Sequence, residues 1–149
     1  MGKRGEGWFG LQVVLFALIL LAARFELWLF PIWLRAAGGL ILAVGGVFGT
    51  LGLLALGRNL SPFPKPIEGG TLITDGVYGI VRHPIYTGLI LGTLGWGLLM
   101  STVLGVFLAL VLFIFFDLKA RREEAWLVGA YAEYDAYRKR VKKLIPWIY

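Results

Sequence analysis

The stretch Pro84–Phe116, PIYTGLILGTLGWGLLMSTVLGVFLALVLFIFF, carries no charged residue from end to end. As one helix it would run about 50 Å. A hydrocarbon core of about 30 Å does not hold such a rod even at a tilt of about 40°. The chain must therefore turn back inside the stretch, and Met100-Ser101-Thr102 is its most polar point. The reading is a tight hairpin of two membrane helices, 84–100 and 102–119.

Two further apolar runs precede it. Trp8–Ala23 is uncharged and follows Lys3 and Arg4, as the apolar part of a secretory leader does. Leu21 stands where a leader's cleavage site needs a small residue. We read the run as a first spanning helix over about 8–30. It ends in the aromatic cluster Trp28, Phe30 and Trp33, which suits a membrane–water interface. Ala36–Gly57 is a second span, rich in glycine. Gly45 and Gly49, like Gly88 and Gly92, lie four apart on one helix face and admit close approach of another helix. The expectation is an all-α integral membrane protein of a single domain, 1–149, with about four transmembrane helices.

Composition agrees. Hydrophobic residues make up 58% of the 149 positions and charged residues 16%, with a mean hydropathy of +0.77. That is too little polar surface for an ordinary soluble domain and too much apolar content for disorder. Cysteine is absent and histidine occurs once, so disulfides, thiolate chemistry and a multi-histidine metal site within one chain are excluded. The net charge of +6 reflects topology rather than nucleic-acid binding. Of 15 Lys and Arg residues, Arg24 and Arg35 fall in the loop after the first span, and the other 13 lie on the opposite side with both termini. By the positive-inside rule that side is cytoplasmic.

Two polar segments remain. The cytoplasmic loop 58–83 holds Pro62, Pro64 and Pro66 and several glycines, which preclude a regular helix. A loop this long in a small protein is a functional candidate. The tail 120–149 continues the fourth helix through Arg121, Glu123 and Tyr134 to Val141. Tyr131, Tyr134 and Tyr137 would then share one face with Trp126 and Leu127. The basic run Arg138-Lys139-Arg140 with Lys142-Lys143 suits either anionic headgroups or a solvated, topology-setting cluster.

Polar groups are scarce, so their placement is informative. His83 lies between Arg82 and Pro84 where the third helix begins, and proline favours a first helical turn. The exposed amides of that helix start attract anions. Tyr78 precedes this corner and Tyr86 follows it. The helices of a hairpin have neighbouring ends, so the His83–Tyr86 corner should meet Lys119, Glu123 and Glu124 where the fourth helix leaves the membrane. The plain alternative is an interfacial cap beside a self-paired charge cluster. The functional one is a polar pocket for a zwitterionic ligand, at the membrane surface under the proline- and glycine-rich loop.

The segments Gly69-Gly-Thr-Leu-Ile-Thr-Asp-Gly-Val-Tyr78 and Val81-Arg-His-Pro-Ile-Tyr-Thr-Gly88 resemble the signature of the isoprenylcysteine carboxyl methyltransferases, which are related to the phospholipid N-methyltransferases. Glu123-Glu124-x-x-Leu127, then Glu133-Tyr134-x-x-Tyr137 and Arg140-Val141 before Pro146, extend the likeness. It covers about Ser61 to Ile148. It implies a membrane enzyme that uses S-adenosyl-L-methionine to methylate a small lipophilic or lipid-like carboxylate, amine or thiol. Carried over by the resemblance, Gly70, Thr71, Leu72 and Ile73 line the cofactor through their backbone. Tyr78, His83, Pro84, Ile85 and Tyr86 complete that wall, and Glu123 is the carboxylate contact. His83 serves first as cofactor positioner and second as a catalytic base for an amine or thiol acceptor. On the substrate side the resemblance implies an arginine where this chain has Lys119, which keeps the charge but loses a planar two-pronged grip on a carboxylate. Arg82 adds a second cation there. Two other readings are a sterol-type membrane reductase using NADPH and a non-catalytic membrane scaffold of the same fold.

Overall fold

The computed structural model describes residues 5–22, 29–67 and 69–149. Among these every regular element is helical: α1 (Glu6–Ala22), α2 (Ile32–Leu56), α3 (Pro84–Leu99), α4 (Val103–Ala130) and α5 (Tyr134–Arg140). Two short 3₁₀ turns, Gly57–Asn59 and Gly76–Gly79, punctuate the long loop between α2 and α3. The helices α2, with the 3₁₀ turn that follows it, and α4 are each long and apolar enough to cross a membrane; α1 and α3 are shorter and equally apolar.

The hairpin forms where it was expected. The α3 helix ends at Leu99, and Ser101 takes a left-handed φ of 59° that reverses the chain. Thr102 then caps α4, its hydroxyl accepting from the Gly105 amide at 3.2 Å. Glycine lets the two arms meet. A Cβ on Gly97 would lie 2.7 Å from the Val106 nitrogen, on the opposite arm.

The α2–α3 contact is tighter still. Gly38, Gly45 and Gly52, the buried residues of α2, recur every second turn on one face. A Cβ on Gly45 would stand 2.7 Å from the Gly92 nitrogen, and one on Gly88 would stand 2.6 Å from the Gly45 carbonyl. The two helices thus touch backbone to backbone, as small residues permit where lipid leaves little hydrophobic drive for association. The glycine faces pair within the chain: Gly88 packs between Gly45 and Gly49, with a Cβ there 2.7 Å from the Gly49 Cα, and the buried row of α2 extends further, to Gly38 and Gly52. On the other side of α3 lies α4, and α1 packs on α4 through Ile19, Ala22, Leu108, Leu112, Phe115 and Phe116. The outward faces carry bare apolar side chains such as Leu40, Leu54, Leu110 and Ile114.

The first helix is described as far as Ala22; positions 23–28, over which the first span was expected to continue and which include Arg24 and Trp28, lie outside the described residues, and Phe30 is not helical. Two boundaries differ from the expected ones. α2 begins at Ile32, four residues before Ala36, because Pro31 caps it and a proline's fixed φ suits the residue ahead of a helix. Arg35 is therefore helical, and its Nε donates to the Leu99 carbonyl at 3.2 Å across the hairpin turn. The fourth helix does not run to Val141. It ends at Ala130, Tyr131 is extended (φ −131°, ψ 117°), and α5 restarts at Tyr134. The bend buries Tyr134 and Tyr137, which one straight helix would have carried away from the bundle.

Candidate functional site at the α3–α4 corner

The site begins with the local sequence Arg82-His83-Pro84. Pro84 occupies the first turn of α3 and leaves His83 at the cap position, with the His83 carbonyl accepting from the Thr87 amide at 3.0 Å. The residues just before it pair with a distant strand-like segment. The Arg82 and His83 amides donate to the carbonyls of Lys142 (2.8 Å) and Lys143 (3.1 Å). The Thr87 hydroxyl donates to the Leu144 carbonyl at 2.8 Å. Backbone bonds from both sides thus hold the corner.

The carboxylate pair of α4 divides its work. Glu124 Oε1 accepts from Arg82 Nε at 2.9 Å and lies 3.0 Å from His83 Nε2. An ionised Glu124 is acceptor-only, so the Nε2 that faces it carries a proton. Glu123 turns toward Tyr86, whose hydroxyl donates to Oε2 at 2.6 Å, while His83 Nδ1 stands 3.9 Å from the same oxygen. The His83 and Tyr86 rings stack at 5.2 Å and 2°, and Tyr86 stacks in turn on Phe116. Imidazole, phenol and phenyl thus form a column along α3 and α4.

Lys119 sits one turn before Glu123 and is only 3% exposed. Its ammonium donates to Gln12 Oε1 at 2.7 Å and to the Pro62 carbonyl at 3.3 Å, and it lies 5.2 Å from the Tyr86 ring centre. Neutral oxygens and an aromatic face thus hold this cation.

These groups surround a cavity of about 350 Å³. Gly70, Thr71, Leu72, Ile73, Tyr78, Arg82, His83, Ile85, Tyr86, Lys119 and Glu123 all line it. Pro84 does not; it is fully buried against α2, where a Cβ on Gly52 would meet its ring at 3.1 Å. Arg82 borders the cavity, but its guanidinium is held by Glu124, by the Arg138 carbonyl at 3.0 Å and by the Val141 carbonyl. The loop closes over the top because Asn59 and Thr71 exchange two hydrogen bonds at 3.3 Å.

Sequence reading missed four contributors. Glu124 had been noted only as half of a pair. Gln12 is a lone uncharged polar side chain in the apolar run of α1, a signal that was available. Tyr134 and Tyr137 reach the cavity only through the break between α4 and α5. Burial, with Glu123 or Glu124 nearby, pushes the phenols of Tyr78, Tyr134 and Tyr137 well above their usual range. All three remain neutral. Tyr137 donates to the Tyr78 carbonyl at 2.6 Å.

Residues 33–134 match the phospholipid methyltransferase family model. The chain belongs to that family. It is 33% identical over 141 residues to the protein-S-isoprenylcysteine O-methyltransferase of Schizosaccharomyces pombe, covering 89% of this chain and 59% of that protein. The enzyme of the same name from Rattus norvegicus is 32% identical over 120 residues, covering 78% and 42%. The cobalt-zinc-cadmium resistance protein CzcN of Cupriavidus metallidurans is 32% identical over 80 residues, 53% of this chain and 37% of that protein. The chain spans about half the length of the curated relatives it matches. Its fold is that of the eukaryotic intramembrane Ras methyltransferase described as isoprenylcysteine carboxyl methyltransferase. The TM-score is 0.70 at 23% identity, over 99% of this chain and 55% of that one.

Proposed function

We infer that this family member is an integral membrane methyltransferase that uses S-adenosyl-L-methionine and acts on a small lipophilic or lipid-like acceptor. One observation carries the reading. The His83–Tyr86 corner, the Glu123 carboxylate and the loop backbone at 70–73 converge on one cavity of about 350 Å³. That volume lies in the range of small-molecule sites. The lining suits this cofactor: a carboxylate for an ammonium or ribose hydroxyl, and stacked aromatic rings for a sulfonium or adenine. The curated relatives named as methyltransferases support it further.

S-adenosyl-L-methionine, when bound, supplies an electrophilic methyl group for in-line displacement at carbon. The residues of this chain orient and enclose. Tyr86 fixes the Glu123 carboxylate by a hydrogen bond to Oε2. His83, anchored by Glu124, braces the aromatic column, so we assign it first to positioning. Its Nδ1 is the nitrogen available to take a proton from an amine or thiol acceptor. Lys119 faces the acceptor side, its ammonium held by the Gln12 and Pro62 oxygens and the Tyr86 ring, with the Glu123 carboxylate near enough to act on its charge. Arg82 acts through Glu124 as a positioning residue. The leucines at 53, 56 and 89 give the cavity an apolar wall through which a lipid-like acceptor would enter. Enclosure of the reacting atoms and their alignment are the main demands of such a transfer.

In the membrane we place four spans, α1 to α4, with the loop 58–83, α5 and both termini on the cytoplasmic side. The deciding experiment is calorimetric titration of the detergent-purified chain with S-adenosyl-L-methionine and with its demethylated product. Binding of both, weakened about tenfold by Glu123→Gln, is the expected result. No binding of either by folded protein would overturn the assignment.

A further inference from the structure

We propose that the turn 144–149, with the cations ahead of it, is a docking surface for anionic phospholipid headgroups. Its seating there strengthens the cofactor wall; this second part rests on the function inferred above. The turn is closed on itself, with the Leu144 and Ile145 amides both donating to a main-chain oxygen of Tyr149 at 2.7 Å. Leu144 points inward and is buried. Trp147 and Ile148 point outward, 85% and 75% exposed. Trp147 also adopts a φ of 62°, a left-handed conformation that bulky side chains rarely take. Two large apolar groups are thus held out from a strained turn, an arrangement with a purpose only if something apolar receives them.

Position says what receives them. The Tyr149 ring lies 6.3 Å from Phe113, and its hydroxyl donates to Asp117 at 2.9 Å. The turn therefore leans against the apolar part of α4, beside the bare side chains of Leu110 and Ile114. That is the depth of headgroups and upper acyl chains, where tryptophan is favoured. Charge says which lipid. Lys139, Arg140 and Lys142 are exposed and make no ion pair among the described residues. Basic side chains beside an inserted apolar pair suit an anionic leaflet.

The same segment clasps the site. The carbonyls of Lys142 and Lys143 hold the Arg82 and His83 amides, and that of Leu144 holds Thr87. Seating 144–149 in the leaflet would restrain those carbonyls, and with them the wall that faces the cofactor.

The chain lacks cysteine, so Ile148→Cys carries a single polarity-sensitive dye. In vesicles containing equal parts phosphatidylglycerol and phosphatidylcholine, its emission should shift to the blue and be quenched by lipids spin-labelled near the headgroup. Dye that stays in water overturns the proposal. So does dye shielded only at high protein-to-lipid ratio, which would mean a second copy covers the turn. Affinity for S-adenosyl-L-methionine should be roughly three- to tenfold higher in those vesicles than in pure phosphatidylcholine. The double variant K139Q/R140Q should lose that difference while keeping its affinity in the neutral lipid. Equal affinity of the wild-type chain in both lipids would overturn the coupling. Failure to bind the cofactor in either lipid would overturn the inferred function instead, and the dye would still decide whether the turn enters the membrane.

Discussion

At the scale of single residues, adjacent carboxylates have different jobs, and substitution should separate them. Glu124→Gln leaves the Arg82 guanidinium, itself mostly buried, without its anion. Breaking such a pair from one side costs about 3 kcal/mol. The variant should therefore melt well below wild type in detergent. Glu123→Gln keeps most of the packing and should melt near wild type, but weaken cofactor binding by about tenfold, the worth of one charge-assisted hydrogen bond. The tyrosines divide in the same way. The Tyr134 hydroxyl is buried with no partner among the described residues, so Tyr134→Phe should change stability by less than about 0.5 kcal/mol or raise it. Tyr137→Phe removes the bond to the Tyr78 carbonyl and should cost about 1 kcal/mol. Chemical denaturation of the two variants side by side checks both signs. Glu123 was legible in the sequence because a motif pointed to it. That the hairpin brings Glu124 to the Arg82–His83 corner was legible too; that Glu124 rather than Glu123 takes both partners was not, since the two carboxylates are adjacent and only the packed geometry separates them.

At the scale of elements, the α2–α3 contact is decided by hydrogen atoms where other helices have methyl groups. Gly88→Ala would drive a Cβ into the Gly45 carbonyl and the Gly49 backbone, which cannot swing aside. Overpacking of this kind costs about 1–3 kcal/mol. Gly46→Ala meets nothing within 4 Å and should be neutral or slightly stabilising, since alanine is the better helix former. Thermal unfolding of the two variants tests the register directly. The sequence showed that these helices could approach closely, but not which glycines would do so. Gly45 has neighbours at both four and seven residues, and only the crossing geometry selects Gly38, Gly45 and Gly52. The end of α4 was misread for a related reason. The tyrosines at 131, 134 and 137 fit a continuous helix by spacing alone, but burying Tyr134 and Tyr137 beside Arg82 requires the break after Ala130.

For the whole molecule, the proposed topology puts the cavity loop and the α1–α2 connection on opposite sides of the membrane. Cysteines introduced at the exposed positions Asp75 and Leu29 should react with an impermeant thiol reagent from opposite faces of sealed vesicles, Asp75→Cys from the cytoplasmic one. Labelling of both from one face would require a different span count. The sequence by itself determined that the chain is helical and apolar, that it doubles back at Met100–Thr102, and that the Arg82–Tyr86 corner meets the carboxylates of α4. Those results follow from local quantities: the length of an uncharged run, the position of a proline, and the adjacency that a hairpin imposes. Tertiary structure alone decided that Gln12 reaches Lys119, that Glu124 anchors His83 while Glu123 faces the cavity, and that the segment 141–144 clasps the start of α3. Each of these joins residues far apart in the chain, and their pairing depends on how whole helices cross, which no local pattern encodes.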